Sequence, residues 1–127
     1  MKKNKKILSI ITVVKNDVYN IEKTIKSIIS QKHKSIEYII VDGNSKDGTI
    51  KIIKNYKKKI DKILIKNDKG IYDAMNKGIF NARGKYISFC NSGDIIKKNS
   101  IKFLLKYLNQ NIDVLFATVK RNYLGTY

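Results

Sequence analysis

Ile36-Glu37-Tyr38-Ile39-Ile40-Val41 runs directly into Asp42-Gly43-Asn44-Ser45-Lys46-Asp47-Gly48-Thr49, and this passage decides the fold. A short, mostly apolar run rich in β-branched residues reads as a strand covered on both faces. The turn that ends it carries a carboxylate and two glycines, and a helical pattern begins at Thr49. The same unit recurs along the chain. Ile7–Val14 leads into Lys15-Asn16-Asp17, Ile63–Ile65 into Asn67-Asp68-Lys69-Gly70, and Tyr86–Cys90 into Asn91-Ser92-Gly93-Asp94. Strands alternating with helices imply a parallel sheet with right-handed crossovers. In such a sheet all these turns emerge at one carboxyl edge, which is where open α/β sheets bind ligands. An edge lined with carboxylates and amides, within a very basic chain, suits sugar hydroxyls, ribose and a divalent cation.

Working outward, Asn20 stands where it can cap a helix over Ile21–Gln31, with Ile21, Ile25, Ile28 and Ile29 on one stripe. A second helix is expected over Thr49–Lys58, with Ile50, Ile53 and Tyr56 inward, before a short strand at Asp61–Ile65. Ile71–Ala82 reads as a helix whose inward residues are Ile71, Ala74, Met75, Gly78 and Ile79, and Gly84 as its stop. A strand at Lys85–Asn91, a helix at Ser100–Asn109 and a fifth strand at Asp113–Val119 complete the pattern. The tail Lys120–Tyr127 has no periodic signal. Phe80, Phe89, Phe103 and Phe116 read as core or half-buried packing, and Tyr72 opens a helix close to the expected cleft.

The chain has 127 residues, enough for one domain with a real core. Its 27 basic and 10 acidic residues give a net charge of +17, which draws nucleic acid, anionic lipid or phosphorylated substrates. Lys, Ile and Asn dominate while Pro and Trp are absent, so a coding bias toward A and T accounts for much of that charge. The lysines form only short runs, at Lys2–Lys6 and Lys57–Lys59, without the interleaved aromatics of a base-stacking platform. Nucleic acid is therefore not the expected partner. The one cysteine, Cys90, lies in an apolar run with no base beside it, and His33 has no companion. The apolar stretch at Ile7–Val14 is too short for a leader or a membrane span. A cytoplasmic protein is expected, with any membrane contact peripheral and at the inner face.

Gly43 and Gly48 have the spacing of a phosphate-binding P-loop, but Thr49 and Ile50 stand where that loop needs Lys and Ser/Thr. An EF-hand reading of Asp42–Asp47 fails because Lys46 takes a ligand position and Asp47 the glycine position. What survives is a carboxylate at a strand end, followed by a tight turn onto a helix. Asp42 is then either a turn cap or a ligand-binding group, and Asp68 likewise a cap or a contact to ribose or base. Asp94, after Ser92-Gly93, can hold Mg²⁺ or Mn²⁺ by one carboxylate when phosphate oxygens supply further ligands.

Val41-Asp42-Gly43-Asn44-Ser45-Lys46-Asp47-Gly48-Thr49 resembles the second-strand turn of family 2 glycosyltransferases of the GT-A fold. Ser9–Asn16 is similar to the first strand of that family, and Asp68–Gly78 to its next signature. Ala82–Phe89 and the acidic turn ending at Asp94 complete a set of four motifs in order over residues 7–94. The resemblance implies a Rossmann-like three-layer α/β sandwich with a mostly parallel sheet. It implies inverting transfer of a sugar from a nucleotide-sugar donor, UDP- or GDP-linked, to a hydroxyl of a glycan or lipid-linked acceptor in polysaccharide assembly. It places Thr12, Val13 and Asn16 beside the base and ribose, Asp42, Asp68 and Gly70 in the nucleoside pocket, and Asp94 on the metal.

Departures from the family pattern shape the expectation. Gly43 stands where many relatives carry a second acid, and Asn91 and Gly93 replace the acids of the usual D-x-D turn. The family's acceptor side and general base lie beyond its donor-binding half, so residues 1–127 are expected to form a single donor-binding domain truncated before the acceptor half. No general base is assigned, because Asp113 opens a strand and so falls on the edge opposite the cleft. A catalytically silent donor-binding module is the second reading, and a basic nucleic-acid-binding α/β domain the third.

Overall fold

The computed structural model describes residues 5–117. Four strands, β1 (Leu8–Val14), β2 (Ile36–Asp42), β3 (Lys62–Ile65) and β4 (Tyr86–Phe89), form one sheet in the order β3-β2-β1-β4. All three pairings are parallel, with Leu8 opposite Ile36 and Tyr86, and Ile39 opposite Lys62. The helices between and after them are α1 (Ile21–Ile29), α2 (Thr49–Asn55), α3 (Ile71–Asn81) and α4 (Ser100–Leu108). Every residue of β1 and β2 is buried, whereas β3 and β4 are only partly covered. Both central strands read as unbroken apolar runs because both of their faces are covered.

Alternation along the strands divides the core in two. Leu8, Ile10, Ile36, Tyr38 and Ile40 pack with Ile21, Ile25 and Ile28 of α1, Ile53 of α2, and Ile101 and Leu108 of α4. Ile11, Val13, Ile39 and Val41 face the other way, onto Ala74 of α3. The result is the expected three-layer α/β sandwich. Fully buried isoleucines each contribute about 2–3 kcal/mol. The α1–α2–α4 side holds most of them and is the main stabilising layer.

Several expectations are corrected. Asn20 precedes α1, but its side chain bonds the Asp17 carboxylate at 2.8 Å and caps no backbone N–H. The second helix closes at Asn55 and continues as a 3₁₀ turn over Lys57–Lys59, where three consecutive lysines have no apolar residue to bury. Gly84 does not stop α3, which ends at Asn81. A Cβ at Gly84 would lie 2.5 Å from the Ser9 backbone nitrogen, so glycine is required there by close approach to β1. Ile71 and Ile79 of α3 are substantially exposed, because that helix meets the sheet through Ala74, Met75 and Gly78. Residues 113–117 form no strand, and the rest of the expected fifth strand, with the tail, lies outside the described residues. Phe80, Phe103 and Phe116 are exposed rather than core or half-buried, at 91%, 61% and 92% of their surface.

Candidate functional site

The four strand ends meet at the carboxyl edge, where side chains tie one loop to the next. Asp42, fully buried at the end of β2, accepts the Ser45 backbone N–H at 2.7 Å and the Ser45 hydroxyl at 2.8 Å. Both carboxylate oxygens therefore hold the turn, as an Asx side chain does when it closes a loop on its own backbone. Ser45 Oγ in turn accepts the Asn16 N–H at 2.8 Å, and Asn16 Oδ1 accepts the Lys46 N–H at 2.8 Å. Asn16 makes this crossing from a left-handed backbone (φ +49°) that asparagine tolerates well.

Asp17 extends the lacing. Its backbone N–H donates to Thr49 Oγ1 at 3.0 Å, and its Oδ2 accepts the Ser92 hydroxyl at 2.7 Å. This one residue joins the loops after β1, β2 and β4. Asp47 accepts the Thr49 hydroxyl at 2.6 Å, the Thr49 N–H at 3.0 Å and the Val18 N–H at 3.1 Å. These donors, the Thr49 hydroxyl first, hold its carboxyl below the ordinary aspartate range.

Asp68, after β3, accepts the Gly70 N–H at 3.0 Å where Gly70 (φ +118°) opens α3. Its other carboxylate oxygen occupies the space a side chain on Gly43 would need. A Cβ there would lie 2.4 Å from Asp68 Oδ2 and 3.1 Å from Lys15 Cδ. Gly43, Asp68 and Lys15 thus converge from three loops on one spot. Asn44 donates to Asn67 at 2.9 Å and fixes the two flanking turns together. Asp73 accepts the Lys69 N–H and the Lys77 ammonium, each at 2.9 Å, and its pKa is lowered by both, the Lys69 N–H foremost.

The β4 turn is held from α1. Thr24 Oγ1 accepts the Gly93 N–H at 3.0 Å and donates to the Asp94 carbonyl at 2.8 Å. Asp94 itself is exposed, and its carboxylate has no hydrogen-bond partner among the described residues. Val13 sits just beneath the edge, with its N–H 3.4 Å from Asn91 Oδ1. Thr12 lies deeper, fully buried, with its hydroxyl donating to the Cys90 carbonyl at 2.7 Å and sharing a hydrogen bond with Tyr38 Oη at 3.0 Å. Burial first, and the Asp94 charge second, push the Cys90 thiol up to about 12, so it is no nucleophile.

All seven residues expected at the site fall at or under this edge, in unequal positions. Asp94, Asp68, Gly70 and Asn16 reach the rim, Val13 lies just below, and Asp42 and Thr12 support it from inside. Sequence reasoning missed Asp17 as the connector of three loops and Thr24 as the support of the β4 turn. Asp17 stood in the acidic turn after the first strand, but nothing in its spacing points to Ser92. Among the described residues no group of three or more His, Cys, Asp or Glu forms a metal cage. A lone exposed carboxylate is a hard oxygen donor and fits a divalent cation that takes other ligands from phosphates and water.

The sequence profile described as Glycosyl transferase family 2 matches residues 9–127. The chain belongs to that family. It is 35% identical over 107 residues to the provisionally named teichuronic acid biosynthesis glycosyltransferase TuaG of Bacillus subtilis (strain 168), covering 82% of this chain and 42% of TuaG. It is 37% identical over 105 residues to an uncharacterized glycosyltransferase of Rickettsia conorii, covering 17% of that protein. Among solved structures, S. aureus TarS 1-349 in complex with UDP-GlcNAc superposes with a TM-score of 0.75 at 24% identity, covering 81% of this chain and 31% of the TarS 1-349 chain. The mannosyltransferase PcManGT of Pyrobaculum calidifontis, in complex with GDP-Man and Mn²⁺, superposes with a TM-score of 0.72 at 18% identity, covering 82% of this chain and 32% of PcManGT. These likenesses establish the GT-A fold for this family 2 chain, as its motifs implied. The chain spans less than half the length of each of these relatives.

Proposed function

We propose that this family 2 chain forms the donor-binding half of an inverting glycosyltransferase and takes a nucleoside diphosphate sugar at its carboxyl edge. The observation that carries the reading is the convergence of Asp68, Lys15 and the bare Gly43 backbone, beside the laced Asp42 turn. A carboxylate there accepts hydrogen bonds from a base or ribose, and the Lys15 ammonium draws the diphosphate. In this reading Asn16, Val13 and Gly70 border the nucleoside. Asp42 and Thr12 act from beneath by holding the turns that present them.

Asp94 would hold Mg²⁺ or Mn²⁺, which supplies charge neutralisation to a departing nucleoside diphosphate. Thr24 and Asp17 position the loop that carries Asp94. The acceptor is proposed to be a hydroxyl of a glycan or a lipid-linked carrier, met on the cytoplasmic side of a membrane. No carboxylate among the described residues is assigned as its base. Asp113 follows Ile112, whose carbonyl accepts the Tyr86 hydroxyl at the amino end of β4, far from the cleft. Among the described residues no helix is long and apolar enough to cross a membrane.

Calorimetric titration of the purified chain with UDP, GDP and CDP, each with and without Mn²⁺, tests the reading. Selective binding of one nucleotide, tightened by the metal, is the expected result. Equal heats for all three, indifferent to metal, would refute it.

A further inference from the structure

The lysines are unevenly distributed over the helices, and composition bias does not produce that distribution. Helix α3 carries one lysine, Lys77, and pairs it with Asp73 at 2.9 Å. On the opposite side of the sheet, α2 and its 3₁₀ turn carry Lys51, Lys54, Lys57, Lys58 and Lys59 with no acid. Residues 95–112, which contain α4, carry Lys97, Lys98, Lys102 and Lys106, again with no acid. A coding bias acts equally on all helices, so the contrast of α2 and α4 with α1 and α3, which pair Lys26 with Glu22 and Lys77 with Asp73, calls for a physical cause.

The second feature is apolar. On α4, Ile101 and Leu108 are buried against the core, which turns Lys102, Phe103 and Lys106 outward. Phe103 is 61% exposed and packs at 4.9 Å, ring to ring, on Tyr107. Leu115 and Phe116 line the same surface as Phe103 and Leu104, and Phe116 is 92% exposed. An aromatic and aliphatic surface bordered by ammonium groups that meet no carboxylate among the described residues does not suit the dry centre of a protein interface, where charge is depleted. Nor does it suit RNA alone, because leucine offers no stacking face. It has the composition of a helix lying in a lipid interface, with rings among the acyl chains and lysines at the headgroups.

We propose that the outward face of α4, with Leu115 and Phe116, docks this chain on an anionic phospholipid surface. Lys97, Lys98, Lys102 and Lys106 meet the lipid phosphates, and Phe103 and Phe116 enter the interface between them. Lys97 and Lys98 lie on the loop that leads from the Asp94 turn into α4, and the rest of the face lies on α4 and the segment after it. The proposal does not depend on nucleotide binding and is tested without nucleotide.

The experiment is co-sedimentation of the full chain with vesicles of phosphatidylcholine, with and without phosphatidylglycerol. Binding is expected only with phosphatidylglycerol, and is expected to weaken as salt rises. Each lysine at such a surface strengthens partition about fivefold. Lys102→Glu with Lys106→Glu should therefore weaken binding by about 25-fold or more. Lys66→Glu with Lys85→Glu makes the same change in net charge away from α4 and should alter it by less than about threefold. Because the chain has no tryptophan, Phe103→Trp is a single reporter whose emission should shift to the blue on vesicles. Absence of vesicle binding overturns the proposal, as does equal weakening by both lysine pairs. So does an unshifted Phe103→Trp spectrum on bound protein. Binding to a short polyuridine RNA that is lost with the α4 pair, without vesicle binding, would reassign the face to nucleic acid.

Discussion

Replacing Gly43 with alanine separates the two roles open to Asp68. The backbone of Gly43 is not left-handed, so alanine fits its conformation, and the whole conflict is one of space. The new Cβ would lie 2.4 Å from Asp68 Oδ2, closer than any real contact, and 3.1 Å from Lys15 Cδ. Both atoms belong to flexible side chains, so the carboxylate swings away and the backbone stays. What is lost is the Asp68–Gly70 hydrogen bond of 3.0 Å at an exposed loop. A bond of that kind contributes about 1 kcal/mol, or about 4 °C in melting temperature for a domain of this size. Gly84→Ala is the contrast. There the clash is 2.5 Å with the Ser9 backbone nitrogen, which cannot move without parting β1 from β4, and the expected loss is about 3 kcal/mol. If Asp68 lines the donor pocket, Gly43→Ala should weaken nucleotide binding by more than about tenfold, equivalent to 1.4 kcal/mol. Calorimetry beside thermal melts reads both effects. Unchanged nucleotide affinity at the reduced melting temperature would refute the pocket role and leave Asp68 as a cap.

Further outcomes follow from the same geometry. Asp94→Asn should leave the melting temperature within about 1 °C, since its carboxylate holds nothing among the described residues, and remove the Mn²⁺ enhancement of nucleotide binding; a retained enhancement moves the metal elsewhere. Arg83→Ala should destabilise by about 2 kcal/mol, because it strips the 2.8 Å guanidinium partner from the fully buried Glu37. That is less than breaking a wholly buried pair, as the guanidinium is half exposed. Burial opposes the charge on Glu37, yet the Ser9 hydroxyl and the Arg83 donors together outweigh it and lower its pKa. Its contribution is fully present above the ordinary glutamate value of about 4.3 and is lost as pH falls through the lower folded value. Glu37→Gln should therefore flatten the acid limb of a stability–pH curve, and an unaltered limb would count against the ion pair. Cys90, buried and raised to about 12, should resist Ellman's reagent at pH 8 until the chain unfolds; prompt native labelling would contradict that burial.

The strands were legible because β1 and β2 are covered on both faces and so read as unbroken apolar runs. The helices were legible by their stripes, with ends displaced by one or two residues except in α2, where Lys57 and Lys58 extended a pattern that had nothing left to bury. The expected fifth strand failed over residues 113–117 because an apolar run specifies a strand only when a neighbour pairs with it. Acidic turns were easy to locate and hard to interpret. A sequence shows that Asp42 and Asp94 both end strands, but not that Ser45 takes both oxygens of one while the other meets no donor among the described residues. The family resemblance placed Thr12 beside the base and ribose, yet strand alternation sent its hydroxyl inward to Tyr38 and Cys90. Asp17 carries the same lesson, because its partner Ser92 lies 75 residues away and shares no local pattern with it.

The lacing of the loops through Asn16, Asp17, Ser45 and Thr24 bears on the thermodynamics of ligand capture. Ordering a loop residue costs about 1–2 kcal/mol of backbone entropy. Here that loss is incurred when the chain folds, by bonds that close before any ligand arrives. On the proposed reading, a nucleotide would meet a rim already ordered, with no affinity spent on immobilising the turns. The consequence is a rigid receptor: free and ligand-bound forms should exchange their edge amide protons at closely similar rates, and association should show no slow conformational phase.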